Sequence, residues 1–437
     1  MSDYLFMLES HLNPQQNRVV SLLQSVATEH NVSLFITGGA MRDMLGGFQI
    51  RDLDFVVEGS ALKLTQTLAK KHHVTILSTD DIRKSTELLF PGGVQAQLAM
   101  AHTARYSKLG SKPKVTPATI QEDLRCRDFS FNAIALSLNR GSRGLLIDPL
   151  NGQADLGRRE LRAVYPTALY DDPVRLLRMC RFRVRMGFDI EERTKSQYEN
   201  ARLAEVEKLI SPADLLLELK QIVDEPAPSE VLKTLEAEKL LDLFSRALTG
   251  PKLNLAGLAR LEKARRLWSP EVDLRGMSWG PFLFALTEKL SPKEKLDLIK
   301  ATGMTKADVN GWQQLPARAK KTESKLKSAS LKRPSQIYEA VLTAPASDIL
   351  FLLYHSPIRL VQDRIRNYFQ KYLQTAMEVT EAEVAAAGAA PGTPKFYKVR
   401  EGLVAARLDG RARKPPPPPT PVVVVPEPIM RRGRRQL

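Results

Sequence analysis

The 437-residue chain has only two cysteines, Cys126 and Cys180, too few for a disulfide framework or a cysteine-based zinc site, so each is expected to pack as a small apolar residue. Histidine is equally scarce, with six in all and one adjacent pair, His72-His73. Neighbours on a helix or strand point apart, which argues against a metal held by that pair. No stretch approaches the roughly 20 uninterrupted apolar residues of a membrane span. The N-terminus, MSDYLFMLESHLNPQQ, also lacks a basic region followed by an apolar run, so no membrane partner is expected and a cytoplasmic location is. Acidic residues are in deficit: 49 Asp and Glu face 65 Lys and Arg, for a formal net charge of +16. That surplus favours a polyanionic partner.

What remains is an ordinary globular composition, 43% hydrophobic and 26% charged, over a length that predicts two or three domains. Asn13-Pro14 reads as a helix start, and Val19, Leu22, Leu23 and Val26 come after it at helical spacing, which predicts an amphipathic helix over 14–30. The β-branched run Val32 to Thr37 predicts a strand that meets Gly38-Gly39 and a helix from about Ala40. Strands around 52–57, 74–77, 86–90 and 94–100 and a helix around 61–72 complete a mixed α/β region. From about Asp171 the periodicity turns helical, as in SPADLLLELKQIV and SEVLKTLEAEKLLDLF. Between Arg318 and Arg333 seven Lys or Arg stand against one Glu, which predicts an exposed helix or loop that is either solvated or an RNA contact. The last stretch, RARKPPPPPTPVVVVPEPIMRRGRRQL, has the composition of a segment with no ordered core. It carries seven Lys or Arg and one Glu, so the rest of the chain is basic without it.

The chemistry is concentrated in FITGGAMRDMLGGFQIRDLDFVVEG, residues 35–59. A strand runs into Gly-Gly, a turn that lets backbone N–H groups approach a phosphate closely. Asp52 and Asp54 then alternate on a second strand, and residues two apart on a strand share a face. Two carboxylates aimed at one spot suit Mg²⁺ against a triphosphate, although Asp-x-Asp taken alone reads better as a solvated strand face. Further on, DDPVRLLR places Pro173 at a helix start and sets Asp172 and Arg175 three apart, on one helical face. A carboxylate there can accept from the exocyclic amine of cytosine or adenine while an arginine donates to the neighbouring ring acceptor. An intrahelical salt bridge is the plainer alternative.

Together these elements resemble the class II tRNA nucleotidyltransferases and bacterial poly(A) polymerases of the polymerase-β-like superfamily. Gly-Gly-x-x-Arg-Asp followed by Arg-Asp-x-Asp and Glu-Gly is matched by Gly38, Gly39, Arg42, Asp43, Arg51, Asp52, Asp54, Glu58 and Gly59. The next element is matched in DLRCRDFSFNA by Asp123, Arg127, Asp128, Phe129 and Asn132, and a third in DPLNGQADL by Asp148, Gly152 and Asp155. The nucleotide-selecting element is matched by Asp171, in place of Glu, with Asp172, Arg175 and Arg178.

The resemblance implies an α/β nucleotidyltransferase head over 1–160 and a helical neck over 161–245. A helical RNA-binding body over 246–376 and a largely disordered tail over 377–437 complete the expected layout. It implies addition of C, A or both to tRNA 3′ ends from CTP and ATP, with pyrophosphate released. Asp52 and Asp54 would hold Mg²⁺; Gly38, Gly39, Arg42, Asp43, Arg127, Asp128, Asn132, Asp172, Arg175 and Arg178 would bind nucleotide. Poly(A) synthesis, a CC-only or A-only specialist, and a catalytically weak RNA-binding paralogue are the alternatives.

Several positions depart from the family pattern. Gln97 stands where a third carboxylate is usual, His102 for arginine, Ala104 for glutamate, Cys126 for arginine and Asp214 for a later arginine. The run Ser107 to Pro117 is expected to include a mobile loop that in related enzymes affects the switch from C to A addition.

Overall fold

A computed structural model describes residues 3–268 and 277–410. Its first nine strands, in chain order, are β1 (Ser33–Thr37), β2 (Leu53–Glu58), β3 (Thr75–Asp80), β4 (Ser85–Leu89), β5 (Gln95–Met100), β6 (His102–Arg105), β7 (Lys114–Pro117), β8 (Ala135–Ser137) and β9 (Leu146–Ile147). Seven of them form one mixed sheet in the order β3-β4-β5-β2-β1-β8-β9. Within that sheet only the β2–β5 pair is parallel. The two left over, β6 and β7, make a separate hairpin. Part of the run expected as a mobile loop is therefore strand, with Thr103 paired to Thr116.

The first helices are α1 (Asp3–His11), α2 (Pro14–Glu29), α3 (Gly38–Leu45), α4 (Ala61–His72) and α5 (Ile120–Leu124). Helix α2 starts where Asn13-Pro14 indicated, with the Asn13 side chain and Gln16 forming a reciprocal capping box. Pleating gives the sheet two faces. Leu34 and Ile36 of β1, Leu53, Phe55 and Val57 of β2 and Leu98 of β5 join Val19, Leu23, Leu64 and Leu68 in the main core. The alternate residues Phe35 and Val56 pack on the other face against Ile120 and Leu124 of α5. Asp54 belongs to that second face, two residues before Val56.

The main core does not close at residue 160 as the sequence suggested. It continues through Leu161, Leu169, Leu176, Met179 and Phe182 to Val206, because α6 (Gly152–Arg158), α7 (Ala168–Asp171) and α8 (Val174–Met186) pack their apolar faces back onto it. Phe129, Phe131, Phe182 and Phe188 interlock there, with ring centroids 5.5 Å apart for Phe131 and Phe182. Beyond Asp171 the described chain is helical apart from the two-residue strand Asp189–Ile190.

The chain divides into two compact units between Pro316 and Ala317, rather than at 245 or 376. The segment from 377, expected to be disordered, is a correction: Glu381–Ala386 and Pro394–Leu408 are helices. Ala376, Val379, Val384, Ala389, Phe396 and Val404 bury one another, and Thr380 and Thr393 cap the two helix starts. The expectation of disorder over 411–437 lies outside the described residues. Among the described residues no single helix is long and apolar enough to cross a membrane.

Candidate active site

The junction of β1 and α3 is built around Asp54. Thr37 pairs with Asp54 across the β1–β2 ladder, and the chain then turns through Gly38 at φ +61°. A Cβ on Gly38 would stand 3.0 Å from Asp54 Oδ2, and one on Gly39 3.3 Å from the same atom. The two glycines thus bring backbone directly to a carboxylate, and Gly39 N–H donates to Asp54 Oδ2 at 3.0 Å. Burial, and then the charge of Asp52, raise the Asp54 carboxyl above its ordinary range, against the lowering pull of the Gly39 N–H, Arg127 and Arg42.

Arg127 connects this acid pair to the rest of the site. Burial works against its charge, but Asp123, which accepts from Arg127 Nε at 2.9 Å and Nη2 at 2.7 Å, and the fields of Asp54 and Asp128 raise its pKa. The next residue, Asp128, accepts from Arg178 at 2.9 and 2.5 Å and from Asn132 at 3.1 Å. Burial alone would raise the Asp128 carboxyl; Arg178, Arg175 and these hydrogen bonds hold it far below its usual range.

Three further residues expected at the nucleotide site, Arg42, Asp43 and Asn132, continue this polar chain, joined by Arg185, which was not among them. Asn132 accepts from Arg42 at 2.9 Å, Arg42 donates to Asp43 at 2.9 Å, and Asp43 accepts from Arg185 at 2.7 Å. Arg42, Asp43 and Asn132 are buried, and their side chains are committed to one another. They brace α3 against α8.

Asp172, Arg175 and Arg178 lie at the junction of α7 and α8. Arg175 is buried and donates to Tyr165 Oη at 3.0 Å, Ala168 O at 3.4 Å and Cys126 O at 3.2 Å. Its guanidinium sits over the Tyr165 ring, 5.5 Å from the centroid. The Asp172 carboxylate, 19% exposed, stands 3.7 Å from Arg175 Nε. Tyr106, at the end of β6, sits among Asp172, Arg175, Tyr165 and Arg83; burial, and then Asp172, push its hydroxyl up to about 12. Tyr106, Tyr165 and Arg83 went unnoticed in the sequence. Two tyrosines beside an Asp and an Arg supply faces on which a base can stack.

One segment, Asp123 to Asn132, therefore serves both places: Arg127 lies in the field of Asp54, Cys126 O is held by Arg175, and Asp128 by Arg178. Several of the departures acquire reasons here. The contact at Cys126 is through the backbone, which any residue supplies. His102 occupies the arginine position and still leans on Asp123, with Nδ1 3.6 Å from Oδ1. Asp214 lies in the first turn of a helix capped by Ser211, its N–H donating to Ser211 Oγ at 3.2 Å and its carboxylate accepting from Ser211 at 2.6 Å. Gln97 is the consequential departure, since it pairs with Asp54 across β2–β5. Glu87 pairs in turn with Gln97, so the nearest further carboxylate in that row is two strands from Asp54. It is exposed and accepts from Ser78 at 3.1 Å.

A divalent cation fits the residues present. Asp52 and Asp54 supply hard oxygen donors whose mutual repulsion a cation would relieve. Beside them, Thr37 Oγ1 is buried without a hydrogen-bond partner. Among the described residues no three His, Cys, Asp or Glu side chains converge on one point, so the protein offers two carboxylates. Mg²⁺ bound by one or two carboxylates completes its shell with water and substrate phosphates.

Residues 34–162 match the family described as the poly A polymerase head domain. Similarity to curated proteins takes in the head and extends into the helices beyond it. An A-adding tRNA nucleotidyltransferase of Aquifex aeolicus is 35% identical over 48% of this chain and 25% of its own length. A CC-adding tRNA nucleotidyltransferase of Deinococcus radiodurans is 33% identical over 47% of this chain and 54% of its own. The chain spans about half or less of the length of the curated relatives it matches. The fold is similar to that of the solved apo structure of a CCA-adding enzyme, with a TM-score of 0.54 at 24% identity, over 94% of this chain and 96% of that one.

Proposed function

We propose that the protein is a template-independent RNA nucleotidyltransferase that adds C, A or both to tRNA 3′ ends from CTP and ATP. The observation that carries this reading is the double attachment of the Asp123–Asn132 segment, which couples an acid pair suited to a cation with an Asp-Arg pair suited to reading a base.

In the reaction, the RNA 3′ oxygen forms a bond to the α-phosphorus, the bond from that phosphorus to the β-phosphate bridge oxygen breaks, and pyrophosphate leaves. Asp52 and Asp54 would hold Mg²⁺, which would supply a Lewis acid that lowers the proton affinity of the attacking hydroxyl and offsets charge on the phosphoryl oxygens. Gly38 and Gly39 fix the position of Asp54, and Arg127 is placed to meet the triphosphate. Asp172 accepts from the exocyclic amine that cytosine and adenine share; uracil and guanine present the opposite polarity there and leave buried groups unpaired. Arg178 and Asp128 hold the selecting helix against the head, and Arg42, Asp43 and Asn132 act as positioning residues behind them. The cytoplasm is the location this reading proposes.

The narrower product is suggested by names: relatives called A-adding are known from Aquifex aeolicus, Halalkalibacterium halodurans and Geobacter sulfurreducens, and one called CC-adding from Deinococcus radiodurans. We favour a specialist that adds the final A. The deciding experiment is incorporation of labelled CTP and ATP, with Mg²⁺, into tRNA transcripts ending before CCA, after one C and after both. A alone on the CC-ended transcript is expected. Ordered C, C, A addition would make the protein a complete CCA-adding enzyme, and long adenosine tails on many RNAs a poly(A) polymerase. No product from folded protein would reject the enzymatic reading in favour of an RNA-binding paralogue.

A further inference from the structure

The turn between β3 and β4 brings a second arginine to the base-selecting carboxylate. Arg83 Nη2 stands 3.6 Å from Asp172 Oδ2, and Arg175 Nε stands 3.7 Å from that same oxygen. Both approaches are to Oδ2, and Asp172 Oδ1 takes no hydrogen bond among the described residues. Arg83 is placed by its own turn: Asp80 Oδ1 accepts from the N–H groups of Ile82 and Arg83 at 2.8 and 2.9 Å, and Asp80 Oδ2 lies 3.6 Å from the Arg83 guanidinium. The following residue, Lys84, closes the turn at φ +53°.

We propose that Arg83 is a positioning residue for base selection: it holds the Asp172 carboxylate away from Arg175, so that Oδ1 is left to accept from the amino group of cytosine or adenine. This rests on the nucleotidyltransferase reading above.

The argument is a competition between two cations for one carboxylate. Arg175 cannot approach Asp172, because Tyr165, Ala168 and Cys126 fix its guanidinium through three hydrogen bonds. Asp172 can approach Arg175. It precedes α8, three residues before Arg175, and rotation of its side chain would close the 3.7 Å gap to a paired hydrogen bond. That collapsed pair would use the acceptor needed by the base amine together with the Arg175 N–H that borders it. Arg83 opposes the collapse by drawing the same oxygen toward β3–β4. It is 42% exposed, so it adds little to the core, and its value lies in where it holds its partner.

The test compares wild type with Arg83→Ala and Arg83→Lys, using ATP, CTP, UTP and GTP separately with Mg²⁺ and tRNA transcripts. Arg83→Ala is expected to lose about tenfold in kcat/KM for the preferred nucleotide, mostly through KM, the scale of losing one charged partner. The values for UTP and GTP stay level, so the preference falls by the same factor. Arg83→Lys is expected to recover part of it, keeping the charge but not the planar fork. Both variants should melt with the wild type when no nucleotide is present. An equal loss with all four nucleotides would assign Arg83 a purely structural role and overturn the proposal, as would an unchanged preference. The thermal shift given by ATP or CTP relative to UTP or GTP supplies the same comparison without turnover. If wild-type protein discriminates by binding alone, only the catalytic reading fails; if it discriminates in neither assay, both readings are wrong.

Discussion

Asp54 is held in a place that disfavours its own charge. It is enclosed by the Gly38-Gly39 turn and faces Asp52, and both burial and that neighbour oppose its ionisation. Asp54→Asn keeps the shape and an oxygen for the Gly39 N–H while removing the repulsion. It should raise the melting temperature in EDTA by about 2 °C, abolish stabilisation by Mg²⁺ with nucleotide, and lower incorporation about a thousandfold, since several kcal/mol of charge stabilisation is lost with it. A folded variant with normal turnover would remove Asp54 from the mechanism. Asp128 is the opposite case, a carboxyl held low by Arg178 and Arg175 in spite of burial. Because its folded value lies below the unfolded one of about 3.9, its contribution is complete above that pH and is lost as pH falls toward the folded value. Urea titrations of wild type and Asp128→Asn should therefore differ by on the order of 2 kcal/mol at neutral pH, a gap that narrows only below about pH 4. A gap that narrows between pH 5 and 7 would mean another group is being titrated.

At the level of elements, the cross-strand row Thr37–Asp54–Gln97–Glu87 decides what the missing third carboxylate does. Adjacent strands are about 4.8 Å apart, so Gln97 is one spacing from Asp54 and Glu87 two. Gln97→Asp is expected to lower the Mg²⁺ concentration for half-maximal activity severalfold and to lower the melting temperature in EDTA, because three acids then repel without a cation. Glu87→Gln should leave activity where it is. Unchanged Mg²⁺ dependence in Gln97→Asp would show that this position does not face the cation. The same row explains which parts of the site could be read in advance. Alternation put Asp52 and Asp54 on one face from sequence alone, and most strand and helix limits through residue 100 agree with expectation to within two residues, whereas β3 runs three residues past Leu77 to Asp80 and α1 was not expected. The face of Glu87 depended on the registers of β4 and β5, which no local pattern encodes. Tyr106, Tyr165 and Arg83 come from three separate connections, and only the packing of α7 and α8 against the head brings them to Asp172. Arg42, Asp43 and Asn132 were legible as members of a site but not as buried braces, since burial is a property of the assembled core.

For the molecule as a whole, the expected layout erred where it equated a change of periodicity with a domain boundary. The core of the head recruits α8 and the helix after it, and the chain separates only at Pro316. That boundary also divides the charge: residues 317–437 hold 22 Lys or Arg against 10 Asp or Glu, while residues 1–316 hold 43 against 39. Most of the basic surplus noted from composition therefore belongs to the second unit. The helix Leu315–Lys327, which begins just before that boundary, buries Ala319 and Leu326 and leaves Lys320, Lys321 and Lys327 exposed, so charge can be removed there without disturbing the packing. If these lysines neutralise RNA phosphates, each contributes about 0.7 to 0.9 to the slope of log K against log salt concentration. Replacing all three by alanine should reduce that slope for tRNA by about 2 to 3, weaken binding at low salt and leave the melting temperature and the nucleotide preference unchanged. An unaltered slope would make this helix a solvated face and shift the search for RNA phosphates to the arginines of Arg359–Asn367.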